Sequence, residues 1–190
     1  MNARVLPVLT AASADEAVRA CEALLAGGLS TVEITFRTDA AAEAIRRASQ
    51  IDGLVVGAGT VLTEEQLELA LDAGAQFAVA PSTDPIVIEA AQHAGMHFIP
   101  GAATPTEIDR ARSLGCDVVK LFPASLLGGP AFVKAMSAVF PDLRFVPTGG
   151  VTAENLADYL ALPSVLACGG TWITGRSDGI EERARQAAAA

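Results

Sequence analysis

Short apolar runs alternate along this chain with longer segments whose apolar positions recur at helical spacing. The runs Val5–Leu9, Thr31–Phe36, Leu54–Ala58, Phe77–Ala80, Phe98–Pro100, Val118–Phe122, Arg144–Val146 and Val165–Cys168 are predicted strands. Between them, Ser13–Ala26 is a predicted helix with an N-cap serine, an acidic first turn and a Gly27-Gly28 stop. Asp39–Ser49 is the second. A third opens at Thr63, where Thr63 and Gln66 have capping-box spacing, and closes at Gly74. Further helices are predicted near Pro85–Ala94, Thr106–Leu114, Ala131–Val139 and Asn155–Leu162, with a last one at Ile180–Ala189.

Strict alternation implies right-handed crossovers and a parallel sheet. Eight such units close naturally into a single (β/α)8 TIM barrel, one α/β domain over residues 1–190. A doubly wound sheet is the rival, but it usually needs a glycine-rich turn after its first strand, and Pro7-Val-Leu-Thr-Ala-Ala-Ser is not one. At 190 residues the chain is short for a barrel, which typically takes ~250, so its loops are expected to be short throughout.

Composition narrows the function. No apolar stretch reaches the ~18 residues of a membrane helix, and the run after Arg4 is broken by Pro7 and Thr10, too short for a signal-peptide core. A net charge of −9 without a basic cluster argues against nucleic acid and anionic membranes as partners. Three cysteines, Cys21, Cys116 and Cys168, are odd in number and lack metal-ligand spacing, so a cytoplasmic setting is expected.

One strand carries an anomaly. Lys120 stands in the middle of Val118-Val119-Lys120-Leu121-Phe122, a run that Pro123 closes. Burial disfavours an ammonium, and a free amine is a nucleophile able to form a Schiff base with a ketone. Arginine cannot do this, and of the thirteen basic residues only Lys120 and Lys134 are lysines. Lys134 falls on the polar side of a helical pattern. The plain alternative for Lys120 is a strand-end residue that snorkels to solvent.

Residues at the C-terminal ends of barrel strands are the ones to read as functional. In Thr31-Val-Glu-Ile-Thr-Phe-Arg, the apolar Val32, Ile34 and Phe36 share one face, so Glu33 and Arg37 are expected to point inward. A carboxylate there can shuttle protons and an arginine can grip a substrate carboxylate; a buried Glu33–Arg37 ion pair is the structural alternative. Thr60, after Gly57-Ala-Gly, suits carboxylate binding or a simple capping turn. Thr148-Gly149-Gly150 and Gly169-Gly170-Thr171 follow the last two strands, where exposed N–H groups beside hydroxyls make an anion nest, or else ordinary turns. His93 sits late in a helix and His97 at the wrong end of its strand. No cluster has metal-ligand spacing, so a metal-dependent mechanism is not expected.

Two long motifs, Gly28-Leu-Ser-Thr-Val-Glu-Ile-Thr-Phe-Arg37 and Gly115-Cys-Asp-Val-Val-Lys-Leu-Phe-Pro-Ala-Ser-Leu-Leu-Gly128, resemble the class I aldolases that cleave 2-keto-3-deoxy-6-phosphogluconate or 4-hydroxy-2-oxoglutarate. Gly57-Ala-Gly-Thr-Val-Leu62, Pro147-Thr-Gly-Gly150 and Gly169-Gly-Thr-Trp172 agree. The resemblance implies that Lys120 forms the imine, that Glu33 moves protons, and that Arg37 and Thr60 bind the pyruvyl carboxylate. Pro81 and Phe122 would be apolar walls, and Thr148, Gly149, Gly150, Gly170 and Thr171 the phosphate cradle. It further implies a phosphorylated 2-keto-3-deoxy sugar acid and pyruvate as small-molecule partners, no metal or cofactor, and a homotrimer.

Three departures stand out. Relatives usually carry a helix before the first strand, Pro-Gly where this chain has Pro81-Ser82, and serine where it has Thr171. A galactonate-series substrate is the nearest alternative. A thiamine-phosphate synthase-like barrel would explain the glycine pairs but not Lys120 with Glu33, and a non-catalytic assembly subunit has no reason to keep Lys120, Glu33 and Arg37.

Overall fold

Every strand pairing runs parallel, and the strands return to their starting point. The structure, a computed structural model, describes residues 4–190. Its strands are β1 (Val5–Leu9), β2 (Thr31–Thr35), β3 (Val55–Gly59), β4 (Phe77–Val79), β5 (His97–Ile99), β6 (Gly101–Ala102), β7 (Val118–Leu121), β8 (Arg144–Pro147) and β9 (Cys168–Gly170). The helices are α1 (Ala14–Ala26), α2 (Ala41–Ala48), α3 (Glu64–Asp72), α4 (Pro85–His93), α5 (Pro105–Ser113), α6 (Pro130–Val139), α7 (Leu156–Leu160) and α8 (Ile180–Ala188). Hydrogen bonding joins β5-β4-β3-β2-β1-β9 and, separately, β6-β7-β8.

Both gaps between these sheets are bridged. Only Pro100 separates β5 from β6, and single parallel bridges, Phe145 with Val165 and Thr148 with Gly169, link β8 to the β9 segment. Counting β5 and β6 as one broken strand gives eight, closed as the (β/α)8 barrel that the alternation predicts.

Two predicted strands need correction. Phe98–Pro100 is instead split around Pro100, which has no N–H to give a ladder, although its carbonyl still accepts from Lys120 N at 2.8 Å. Val165–Cys168 is displaced toward the C-terminus: β1 pairs with Cys168, Gly169 and Gly170, while Val165 makes one isolated bridge. The second glycine pair therefore belongs to the strand rather than following it. The second strand also ends early, at Thr35 rather than Phe36, and α7 is shorter than Asn155–Leu162.

Side-chain caps mark the starts of α1, α3, α4 and α5. Ser13 and Thr63 each accept from the N–H three residues on, at 3.2 Å. Gln66 reaches back to Leu62 N at 2.7 Å rather than to Thr63 itself. At α5, Thr104 and Glu107 complete a full capping box. The outward strand positions, Val32, Ile34, Val56, Ala58, Ala78, Val119, Leu121 and Phe145 among them, are buried against the helices in one apolar cluster. Alanines such as Ala44, Ala48, Ala70, Ala91 and Ala111 let helices approach that layer closely. No helix among the described residues is long and apolar enough to cross a membrane.

Candidate active site

Around the ring, β2 and β7 lie opposite one another, four strands apart in either direction. Glu33, at the middle of β2, and Lys120, third in β7, face each other across the barrel interior. Lys120 Nζ donates to Glu33 Oε1 at 3.2 Å, and the two residues are only 3% and 1% exposed. Those values exclude a snorkelling lysine. Glu33 Oε2 is buried and has no hydrogen-bond partner among the described residues, so half of the carboxylate's accepting capacity is unused there. The Lys120 Nζ also sits 5.6 Å from the centre of the Phe122 ring, within the range of a cation–π contact.

The Glu33 partner is thus Lys120 and not Arg37, which settles against a Glu33–Arg37 ion pair. Arg37 lies two residues beyond the end of β2 at Thr35. Arg37 is exposed at the rim, and its Nε donates to Thr60 Oγ1 at 3.2 Å. Thr60 has φ 57°, the one positive-φ residue other than glycine among those described. For a β-branched residue this is an unfavourable conformation, of the kind found at ligand-binding positions. Nor does Thr60 cap a helix, since Thr63 is the N-cap of α3.

Above the buried pair opens a cleft of about 200 Å³. Arg37, Lys120, Phe122, Thr148, Gly149, Gly150, Gly170 and Thr171 all line it. Pro81 does not; its carbonyl group crosses 2.2–2.4 Å from where a side chain on Gly101 would begin, and Gly101 is in register with Lys120. Val8 and Val151 complete the walls and were not anticipated. Val8 faces inward because its register partner is Glu33, a pairing visible only in the structure; Val151 shows no signal beyond following Gly150. A larger groove of about 550 Å³ lies between α1 and α8, on the helix layer, with none of these groups.

Gly149 and Gly150 have φ 92° and 79°, so the chain turns in the left-handed region that glycine tolerates. Their carbonyls are occupied, Gly149 O by Ser125 N at 3.0 Å and Gly150 O by Asn155 Nδ2 at 2.9 Å. Their own N–H groups donate to no protein acceptor among the described residues and remain available for an anion. Ser125, unnoticed in the sequence, packs against Gly150 so closely that a Cβ there would meet its Oγ at 1.9 Å.

Thiol chemistry does not compete with Lys120 here. Burial pushes the Cys168 thiol, at the start of β9, up to about 12, and does the same to Cys21. Neither is a thiolate near neutral pH.

Comparison with known proteins decides the family. The family model for KDPG and KHG aldolase matches residues 1–187.

The chain belongs to the KDPG and KHG aldolase family.

A 2-dehydro-3-deoxy-phosphogluconate aldolase of Treponema pallidum (strain Nichols) is 49% identical over 171 residues, covering 90% of this chain and 81% of that protein. The crystal structure of the 2-keto-3-deoxy-6-phosphogluconate aldolase of Zymomonas mobilis ZM4 with 3-phosphoglycerate superimposes with TM-score 0.94 at 39% identity, covering 98% of this chain and 91% of that one. A KDPG aldolase from Legionella pneumophila, with pyruvate captured at low pH as a covalent carbinolamine intermediate, gives TM-score 0.90 at 34% identity, covering 99% and 92%. The aldolase family is one of carbon–carbon lyases, and the barrel of this chain is the family's barrel.

Proposed function

We propose that this aldolase cleaves 2-dehydro-3-deoxy-6-phosphogluconate to pyruvate and glyceraldehyde 3-phosphate through a Schiff base on Lys120, and also cleaves 4-hydroxy-2-oxoglutarate to pyruvate and glyoxylate. One observation carries the reading: a buried amine, opening onto a cleft, faces a carboxylate that has one oxygen free. The carbinolamine captured in the Legionella relative supports covalent chemistry of this kind.

Lys120 Nζ adds to the C2 carbonyl carbon. Glu33 transfers protons as the carbinolamine loses water, leaving a protonated imine. Glu33 then takes the C4 hydroxyl proton as the C3–C4 bond breaks, and the electron pair moves into the imine to give an enamine. The aldehyde departs, C3 is reprotonated with the help of Glu33, and water releases pyruvate from Lys120. Arg37 and Thr60 hold the substrate carboxylate at the rim, with Phe122 as an apolar wall. Thr148, the free N–H groups of Gly149 and Gly150, Gly170 and the Thr171 hydroxyl hold the phosphate. Every step is supplied by side chains and water.

The same reading places the enzyme in the cytoplasm, in keeping with its odd number of cysteines, and makes it a homotrimer. Leu126, 84% exposed on the loop after β7, offers apolar surface for subunit contact. Sedimentation should give three times the chain mass.

The direct test is pyruvate release from a panel of 4-hydroxy-2-keto acids, phosphorylated and not, in the gluco and galacto series. The 6-phosphogluconate derivative should give the highest kcat/KM, with measurable turnover of 4-hydroxy-2-oxoglutarate. Preference for the galacto compound would reassign the substrate, and silence across the panel would refute the reading.

A further inference from the structure

Strand β3 sends no side chain into the barrel at two successive inward levels, because both positions are glycine. Glu33 on β2 pairs in register with Gly57, and Gly59 lies two residues further along the same face. The two vacant spaces are filled from the neighbouring strands. At the lower level the Phe77 ring of β4 lies where a Gly57 side chain would begin, with ring atoms 2.2 Å from that point. At the upper level the space is taken by Glu33: a Cβ on Gly59 would stand 2.4 Å from Glu33 Oε1, 2.5 Å from its Cγ and 2.8 Å from its Cδ.

These distances matter because Oε1 is the oxygen that meets Lys120. A single methyl group on Gly59 cannot coexist with the carboxylate in its present place. Backbone conformation does not require glycine there. Its backbone lies outside the left-handed region, and the three atoms nearest the added Cβ all belong to the Glu33 side chain. Gly101, by contrast, is crowded by backbone atoms of Pro81 and Ala80, and Gly149 and Gly150 by conformation as well as contact. The atoms that would have to give way first are therefore Cγ, Cδ and Oε1 of the Glu33 side chain rather than the backbone of a neighbouring strand.

We infer that Gly59 is a positioning residue for the proton-transfer step: its missing side chain is the seat that holds the Glu33 carboxylate against Lys120. This rests on the proposed acid–base role of Glu33. The chemistry is sensitive to such placement, since a shift of about 1 Å in a reacting group can cost roughly a hundredfold in rate.

The test is a double-mutant cycle. Gly59→Ala is introduced into the wild type and into Glu33→Ala, and kcat, KM and the thermal midpoint are measured for all four proteins. In the wild type, Gly59→Ala should lower kcat about a hundredfold with KM nearly unchanged, and the midpoint should fall because the buried contact of Glu33 with Lys120 is disturbed. In the Glu33→Ala background, where the colliding atoms are gone, it should change neither the residual kcat nor the midpoint. If Gly59→Ala alone fails to fold, recovery of folding in the double variant supports the same assignment. An unaltered kcat in Gly59→Ala, equal losses in both backgrounds, or a double variant that unfolds while Glu33→Ala folds would each overturn it. A Glu33→Ala protein that keeps wild-type kcat would instead remove the acid–base role of Glu33 itself, and the seat with it.

Discussion

Two polar regions share the mouth of this barrel and are built in opposite ways. The deeper one, Lys120 with Glu33, consists of side chains on opposed strands, buried and in direct contact. The upper one, around Gly149, Gly150 and Gly170, consists largely of main chain, with Thr148 and Thr171 adding hydroxyls. On the proposed mechanism, function in the deep region depends on the chemical identity of two groups, because a buried charge left without its partner is expensive. In the proposed cradle it depends on backbone conformation, and any one side chain contributes a single hydrogen bond. Replacements should therefore have large effects below and modest, substrate-dependent effects above.

The largest effect is expected at Lys120. Lys120→Arg preserves charge and approximate length, yet a guanidinium cannot form the imine. Aldol cleavage should fall to background on every substrate, in a protein that still folds. Next comes Glu33→Gln, which keeps shape but cannot accept a proton. Its kcat should drop by roughly 10²–10⁴ with circular dichroism unchanged; near-wild-type turnover would make Glu33 a purely structural partner and erase the contrast between the regions.

The upper region should respond selectively. Thr171→Ala should weaken the transition-state interaction with a phosphorylated substrate by ~1.5–3 kcal/mol, the worth of one hydrogen bond to a charged group. Cleavage of 4-hydroxy-2-oxoglutarate, which has no phosphate, should barely change. Equal losses on both substrates would move the phosphate site elsewhere.

Smallest of all, and confined to stability, is an effect remote from both regions. The N–H of Ala103, and after it the hydroxyl and N–H of Thr104, hold the Glu107 carboxyl below its usual range. A carboxyl depressed in the folded state stabilises above its unfolded value and loses that contribution as pH falls through the folded one. Glu107→Gln should therefore lower the thermal midpoint at pH 7 without touching kcat. The gap to wild type should close as the solution is acidified below the ordinary carboxyl value of 4.5.

What the sequence revealed follows the same division. Lys120 and Glu33 were legible because a charged residue within an apolar run is an anomaly of composition and position. Their mutual contact was not, since it joins strands 87 residues apart and needs the closed ring to bring them face to face. Arg37, expected to face inward, lines the cleft with Lys120 from the rim, where it donates to Thr60 rather than pairing with Glu33. Gly169 and Gly170 were assigned to a turn because glycine pairs usually break strands; here β1 pairs with them directly. The seat at Gly59 was hidden altogether, since the absence of a side chain has meaning only beside the group that fills the space.

The most direct test of the imine is chemical capture. The enzyme is incubated with pyruvate, reduced with borohydride, digested and mapped by mass spectrometry. One pyruvyl adduct per chain, on the peptide containing Lys120 and absent from Lys120→Arg, is the expected result. An adduct on Lys134, or none on a chain that still releases pyruvate from its substrate, would contradict the Schiff-base account.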